Sequence, residues 1–551
     1  MRLLERRIGL LFAVFLAMLI LAAGRASWLG VVRGSALQSA AATQQESVLT
    51  VPARRGAIVD ARGDELAVSV PATTVTATPY LVKDPARAAR RLAVALGRRE
   101  DELLRKLARK DTGFVYLARR VSGRRAERAR ALGLEGIDFT PEFRREYPRD
   151  WTASQLLGHV GTDNQGLDGL EKALDDRLRG ADGRRRLVKD ALGDAISLRE
   201  VTRTRPGADV RLTLDLQLQQ HAEKVLDRVG EAWQPRGATA LVMDPQSGAV
   251  LALANWPRVD ANHLGEAPEY AQRNRATLDT YEPGSTFKAF TVAGALEDGK
   301  VRPESSFDLP PQITVADRTI GESHPRGYET MTTATILKQS SNVGAVMIGQ
   351  RLGAKRFDHW VRRFGFGTPT GVDLPGEESG LVKRHQEYWG SSMGNLPIGQ
   401  GLTVTPMQMA AAYAAIANGG VLRAPHVVDA VGGRRQARPR GKRILSEATA
   451  ASLRRMLEGV LGPGGTASGA AIDGYVAAGK TGTAEKADAT GYSKTRFVSS
   501  FVGFAPARDP RLLVAVMVDE PKGDHYGGAV AAPAFAEIAD HALVYLKIPP
   551  K

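Results

Sequence analysis

The pattern of apolar and polar positions begins with residues 8–23, an uncharged run rich in leucine and alanine that resumes at 26–32 after Gly24 and Arg25. Arg2, Arg6 and Arg7 precede it. A helix needs about 20 apolar residues to span a bilayer, and an arginine near its end can reach the interface. The pattern predicts a membrane anchor over residues 8–32, with Trp28 at the interface. A signal peptide cleaved near Gly24-Arg25-Ala26 is the alternative. Further along, "RRGAIVDARGDELAVSV" (54–70) alternates in the manner of strand, turn and strand, with Asp60 and Gly63 in the turn. Residues 85–133 have helical spacing and predict two or three surface helices. Residues 145–180 alternate glycine turns with a short helix.

After Arg205-Pro206-Gly207, residues 209–229 pass from strand into an amphipathic helix. Residues 238–255 read as a hairpin around Pro245–Gly248, and 496–506 and 511–521 as two more strands, followed by a helix from about 533 to 546. Helical segments lie between them at 286–296, 333–352 and 405–419. The last has Thr405 as N-cap, Pro406 at its first turn and Gly419 at its end. Strand pairs flanking a helical middle predict an α+β domain whose single sheet is built from both ends of its sequence.

Composition narrows the chemistry. With 551 residues the chain exceeds one ordinary core. Its 43% hydrophobic and 25% charged residues are normal for a globular protein. The net charge of +15 suits an anionic partner or reflects an arginine-favouring genome. No aromatic-rich RNA signature or Cys/His finger is present, so nucleic acid is not expected. The absence of cysteine excludes disulfides, thiolate catalysis and Cys-ligated metal. The nine histidines show no metal-ligand spacing, and neither a metal nor a cofactor is expected.

Two motifs mislead. "GYVAAGKT" (474–481) fits a phosphate-binding loop, and "LLVAVMVDE" (512–520) fits the strand that would accompany it. Yet "SGAAIDG" before it is no buried strand, and "GTAEKADATGYSKT" after it has no helical period. The stretch 512–520 is then expected as a core strand beside the strand of Lys480. "GSSMG" (390–394) fits a nucleophile elbow but follows "RHQEYW" rather than an apolar strand, which predicts a loop.

The sharpest stretch is "YEPGSTFKAFTVAGAL" (281–296). Pro283-Gly284 turns the chain, Ser285 opens a helix, and Lys288 lies three residues on, on the same face. A serine at a helix N-terminus, beside an amine and free N–H donors, is a nucleophile arrangement. Alone, S-x-x-K is more often a capping serine and a solvated lysine. Here Ser340-Ser341-Asn342 (S-x-N) and Lys480-Thr481-Gly482 (K-T-G) follow in order, a trio shared by penicillin-interacting serine enzymes.

With those motifs the chain resembles class B penicillin-binding proteins, the membrane-anchored D,D-transpeptidases that cross-link peptidoglycan. "RRGAIVDARGDELA" and "GLDGLEKALDDRLRG" resemble the family's non-catalytic pedestal. "YEPGSTFK", "SSNVGA", "GKTGTAEK" and "YGGAVAAPAF" resemble its transpeptidase domain. Glu282, the Lys480–Thr483 box and the ending "YGGAVAAPAF" look more like the septal, cell-division branch than the elongation branch. Ser154-Gln155 stands where the pedestal would carry an Ala-His pair.

The resemblance implies a cytoplasmic tail (1–7), anchor (8–32), juxtamembrane linker (33–50), elongated pedestal (51–205) and transpeptidase domain (206–551), the last an antiparallel sheet with flanking helices and a helical subdomain. It implies catalytic roles for Ser285, Lys288, Ser340, Asn342 and Lys480. Thr481, Gly482 and Thr483 would bind substrate. Lys480 would supply the cation that helps lower the Lys288 pKa, and the N–H groups of Ser285 and Thr483 would form the oxyanion hole. It also implies lipid-linked and nascent peptidoglycan as substrate and β-lactams as covalent inhibitors. The partners would be a polytopic peptidoglycan glycosyltransferase and other cell-division membrane proteins, and the site an inner membrane with the catalytic domain in the periplasm. An elongation-type transpeptidase, a β-lactamase or a penicillin sensor would share the trio.

Overall fold

The computed structural model describes residues 2–32, 46–189, 195–488 and 491–550. Most of the expected linker therefore lies outside the described residues. The N-terminal helix runs Arg2–Ser27, and 22 of its residues, Arg6–Ser27, are long and apolar enough together to cross a membrane. At 1.5 Å per residue that is about 33 Å, against a hydrocarbon core of about 30 Å. The Arg25 guanidinium lies over the Trp28 ring.

The chain divides into two compact units. The smaller takes residues 1–54, 71–144 and 180–207. It contains a three-stranded antiparallel sheet of Glu46–Val51, Gly183–Lys189 and Ala195–Thr202. Its helices Pro85–Leu96, Glu100–Leu107 and Gly123–Arg130 pack Leu92, Leu96, Leu103 and Leu107 into one core. The expectation of helices alone over 85–133 is corrected here: Val115–Ser122 is a strand, paired antiparallel with residues 72–77. Its buried Val115, Leu117 and Val121 show the period of two that the neighbouring arginines obscure in the sequence. The whole net charge of +15 falls in this unit, with 30 basic and 15 acidic residues; the larger unit is neutral. The basic character is therefore no property of the larger unit.

The larger unit takes residues 55–70, 145–179 and 208–551. Two of these segments carry pedestal-like sequence. Arg55 is fully buried and bonds Glu171 at 2.6 Å and Asp175 at 2.6 Å, while Arg145 bonds the other Glu171 oxygen at 2.6 Å. Gln155, also buried, donates to the carbonyls of Pro257 and Ala271.

The larger unit's five-stranded sheet has strands β1 (Gly237–Met243), β2 (Val250–Trp256), β3 (Ala478–Asp488), β4 (Gly491–Ala505) and β5 (Leu512–Asp519) in the order β2-β1-β5-β4-β3, all antiparallel. It is drawn from both ends of residues 208–551, as the hairpin and the C-terminal strands predict, but it is not the single sheet expected there: Val210–Leu212 pairs with Val428–Val431 in another. The stretch 512–520 is a core strand but does not lie beside the Lys480 strand: β4 separates β5 from β3, so β3 is an edge. Helices α1 (Leu216–Trp233) and α5 (Ala532–Tyr545) cover one face, with Phe501 on Phe535. The helical subdomain covers the other. Its centre is α2 (Lys288–Glu297), almost all buried, flanked by α3 (Asn342–Leu352) and α4 (Pro406–Ala417). A helix apolar on every side belongs inside a core. Thr405 caps α4 in a reciprocal box with Gln408.

Candidate active site

The turn that carries Ser285 precedes the helix rather than opening it. Gly284–Phe287 forms a tight 3-10 turn, and α2 begins at Lys288. The turn is held on every side. Tyr413 Oη donates to the Thr286 carbonyl at 2.7 Å, Thr286 Oγ1 to the Pro283 carbonyl at 2.7 Å, and Gly284 N to the Gly399 carbonyl. Gly284 has φ +53°, and a Cβ there would stand 2.6 Å from the Thr483 carbonyl oxygen. The backbones of the turn and of β3 are thus in direct contact.

Gly482 permits that contact from the other side: a Cβ would lie 2.4 Å from Ser500 Oγ, 2.8 Å from Thr286 Cγ2 and 3.0 Å from the Pro283 carbonyl. Gly482→Ala is expected to push β3 off the turn and slow acylation of Ser285 on the order of a hundredfold. Acylation by a fluorescent penicillin measures this, and a wild-type rate in the alanine variant would refute the contact's importance.

The second motif breaks the helix expected over 333–352. Thr333–Lys338 ends, Ser340 takes φ +60°, and α3 starts at Asn342 with Ser341 as its cap. This break turns Ser340 and Asn342 toward Lys288. The Lys288 ammonium nitrogen donates to the Ser340 carbonyl at 2.6 Å and to Asn342 Oδ1 at 2.6 Å, with Ser340 Oγ at 3.3 Å. Lys288 is 1% exposed. Burial pushes it down to about 7, helped by Arg326 and opposed by Glu322. Lys480 is fully buried and donates to the Thr481 carbonyl and hydroxyl at 3.2 and 3.3 Å. Burial, then repulsion by Lys288, pushes it well below the usual lysine range. The lowered pKa of Lys288 thus comes first from desolvation, with the Arg326 cation adding to it, and Lys288 and Lys480 repel one another.

A cavity of about 710 Å³ joins the three motifs. Ser285, Ser340, Asn342, Thr481 and Thr483 line it, while both lysines lie beneath its surface. Thr481 Oγ1 shares a hydrogen bond of 2.7 Å with Thr466 Oγ1, and Thr483 Oγ1 accepts from Gly527 N at 3.0 Å. Ser285 Oγ carries no hydrogen bond among the described residues, which leaves it open to a substrate. Sequence reasoning missed Thr466, Glu322 and Arg326, which belong to no motif and reach the site only through the tertiary fold. It also missed one wall, where Phe497, His525, Tyr526 and His324 stack in succession.

Neither misleading motif has its required context. Lys480 and Thr481 are extended residues within β3, with no helix after them. Gly390–Gly394 follows a 3-10 turn, His385–Glu387, rather than a strand. Among the described residues no cluster of His, Asp and Glu could hold a metal ion.

Residues 238–540 match the family profile of the penicillin binding protein transpeptidase domain, and residues 50–212 that of the penicillin-binding protein dimerisation domain. The chain is similar to the probable peptidoglycan D,D-transpeptidase PenA of Neisseria meningitidis, 35% identical over 91% of this chain and 86% of that one. It is similar to the peptidoglycan D,D-transpeptidase FtsI of Escherichia coli, 34% identical over 99% and 92%. Among solved structures, penicillin binding protein 3 of Mycobacterium tuberculosis complexed with aztreonam superposes with a TM-score of 0.72 and 30% identity over 91% of this chain and 98% of that one.

Proposed function

The chain belongs to the penicillin-binding protein transpeptidase family and is a peptidoglycan D,D-transpeptidase; we propose that it works through an acyl-enzyme on Ser285 and serves septal wall synthesis. The observation that carries the mechanism is the convergence on one cavity of three motifs that lie up to some 200 residues apart, with a buried lysine of lowered pKa behind the nucleophile.

Ser285 Oγ attacks the carbonyl of the penultimate D-Ala of a stem peptide, and neutral Lys288 accepts its proton. At about 7 a large fraction of Lys288 is neutral at physiological pH, against about one in 2,500 for a free lysine. Two of the nitrogen's positions are committed as donors to Ser340 O and Asn342 Oδ1. Terminal D-Ala then leaves as its amine, protonated through Ser340 Oγ, which stands between Lys288 and the cavity. The amine of a second stem peptide attacks the acyl-enzyme, loses a proton and releases Ser285. Thr481 and Thr483 present hydroxyls for the substrate carboxylate, and Lys480 beneath them supplies positive charge when that carboxylate arrives. The N–H groups of Ser285 and Thr483 serve the oxyanion. A β-lactam acylates the same serine, but its leaving group stays tethered and the adduct persists.

The septal branch is supported by likeness to the Escherichia coli transpeptidase over nearly the whole of both chains. The N-terminal helix supports a single-pass anchor with the catalytic unit outside the cytoplasm. Its flanking arginines favour a cytoplasmic N-terminus, and so an inner-membrane protein. A polytopic glycosyltransferase and other division proteins are the proposed partners, met through the anchor and pedestal.

The test is intact mass after exposure to penicillin. A stable adduct on wild type and none on Ser285→Ala is expected. A well-folded wild type without an adduct would overturn the mechanism. Rapid turnover of the penicillin would make the protein a β-lactamase instead.

A further inference from the structure

The loop "ESHPR" (322–326) follows the strand Arg318–Gly321 and contains none of the three motifs. Glu322 lines the catalytic cavity and has a side chain only 1% exposed. Both its oxygens end on the second motif. Oε1 accepts from Ser341 Oγ at 2.5 Å, and Oε2 accepts from Asn342 N at 2.6 Å. The carboxylate therefore sits at the N-terminus of the eleven-residue α3, where N–H groups and the helix dipole favour negative charge. Asn342 Nδ2 donates to the neighbouring Gly321 carbonyl at 2.9 Å. One strand end thus grips the side chain and the backbone of the asparagine that holds Lys288. It does so next to Ser340, whose left-handed φ of +60° a residue with a side chain adopts only when its surroundings impose it. Arg326 closes the arrangement, with Nη2 3.0 Å from Glu322 and Nη1 donating to Gln339 Oε1.

On the acyl-transfer reading above, we propose that Glu322 and Arg326 are positioning residues that clamp the Ser340–Asn342 turn and together set the pH range over which Ser285 is acylated. The charged groups acting around Lys288 are Glu322 and Arg326 from this loop and Lys480 from β3; Ser340 and Asn342, its direct partners, are neutral. Glu322 favours the protonated lysine and Arg326 disfavours it. Since the base must be neutral, acylation rises with pH through the Lys288 midpoint. Removing the anion lowers that midpoint and removing the cation raises it.

The test is the pH profile of acylation of the full chain by a fluorescent penicillin, in wild type, Glu322→Gln, Glu322→Asp and Arg326→Met. The midpoint is expected to move down by about one pH unit in Glu322→Gln and up by about one unit in Arg326→Met. Glu322→Asp keeps the charge but shortens the reach, so its midpoint should stay while its plateau rate falls. A purely structural role would lower plateau rates and leave every midpoint at the wild-type value, and that outcome overturns the inference. Should Glu322→Gln not fold, an unmoved midpoint in Arg326→Met overturns it equally. Absence of acylation in wild type would instead overturn the acyl-enzyme reading, and this inference with it.

Discussion

Lys288→Met is expected to fold and to acylate Ser285 about a thousandfold more slowly than wild type at pH 7.5. Methionine matches the lysine stem in length, but its thioether is far too weak a base to take the serine proton. General-base catalysis by a positioned group contributes about 10²–10⁴-fold. The three-motif cavity would remain, with Ser285 open and the turn still pinned by Tyr413 and Gly399. A stopped-flow acylation measurement checks this. A loss below tenfold would mean that another group takes the proton.

The same variant tests the pKa through stability. The folded-state pKa of Lys288 lies near 7, below the 10.5 of an unperturbed lysine. Between those values the unfolded chain binds a proton that the folded chain does not, so wild-type stability rises with pH across that window. At and below pH 7 the lysine carries its full cost, and near pH 10.5 it carries none. Relative to wild type, Lys288→Met should therefore lose ground from pH 7 to pH 10, by roughly 4 kcal/mol. Chemical melts at both values measure it. An equal difference at the two would show that Lys288 titrates as an ordinary lysine.

What the sequence makes legible is what local chemistry determines. Thr405 and Pro406 mark the start of α4 because a capping hydroxyl and an N-terminal proline act within one turn. The hairpin at Pro245–Gly248 is legible because its turn residues sit between two apolar runs, and Gly248 supplies the φ of +82°. The trio of motifs is legible because the chemistry needs those residues whatever surrounds them. Three other features are not. The break at Ser340 carries no glycine to announce it, and Glu322, which bonds the two residues after it, lies some eighteen residues away in sequence. The insertion of β4 between β3 and β5 is a matter of strand order, which apolar patterning does not encode. Val115–Ser122 looks helical because Arg119 and Arg120, half-buried here, are good helix formers that interrupt the alternation, and only burial of Val115, Leu117 and Val121 reveals it.

Glu171→Ala is expected to destabilise the larger unit by about 3–5 kcal/mol, because it strands two guanidinium groups at once. Glu171 is fully buried; it accepts from Arg55 Nε on one oxygen and from Arg145 Nε on the other, each at 2.6 Å. Tyr147 Oη adds a bond of 3.3 Å, and Arg55 Nη2 reaches the Glu171 carbonyl at 2.8 Å. Such a network is no proof of stability relative to an apolar core, since assembling it required three charges to leave water. The asymmetry lies in removing one member: without Glu171, Arg55 keeps only Asp175 and two carbonyls, and Arg145 only the Gly56 carbonyl. Neither arginine can shed its proton to relieve the cost. None of these residues lines the catalytic cavity, so the acylation rate of folded molecules should stay at the wild-type value while the melting midpoint falls. A loss under about 1 kcal/mol would mean that water reaches the arginines and that the segments 55–70 and 145–179 are held to the catalytic unit by other contacts.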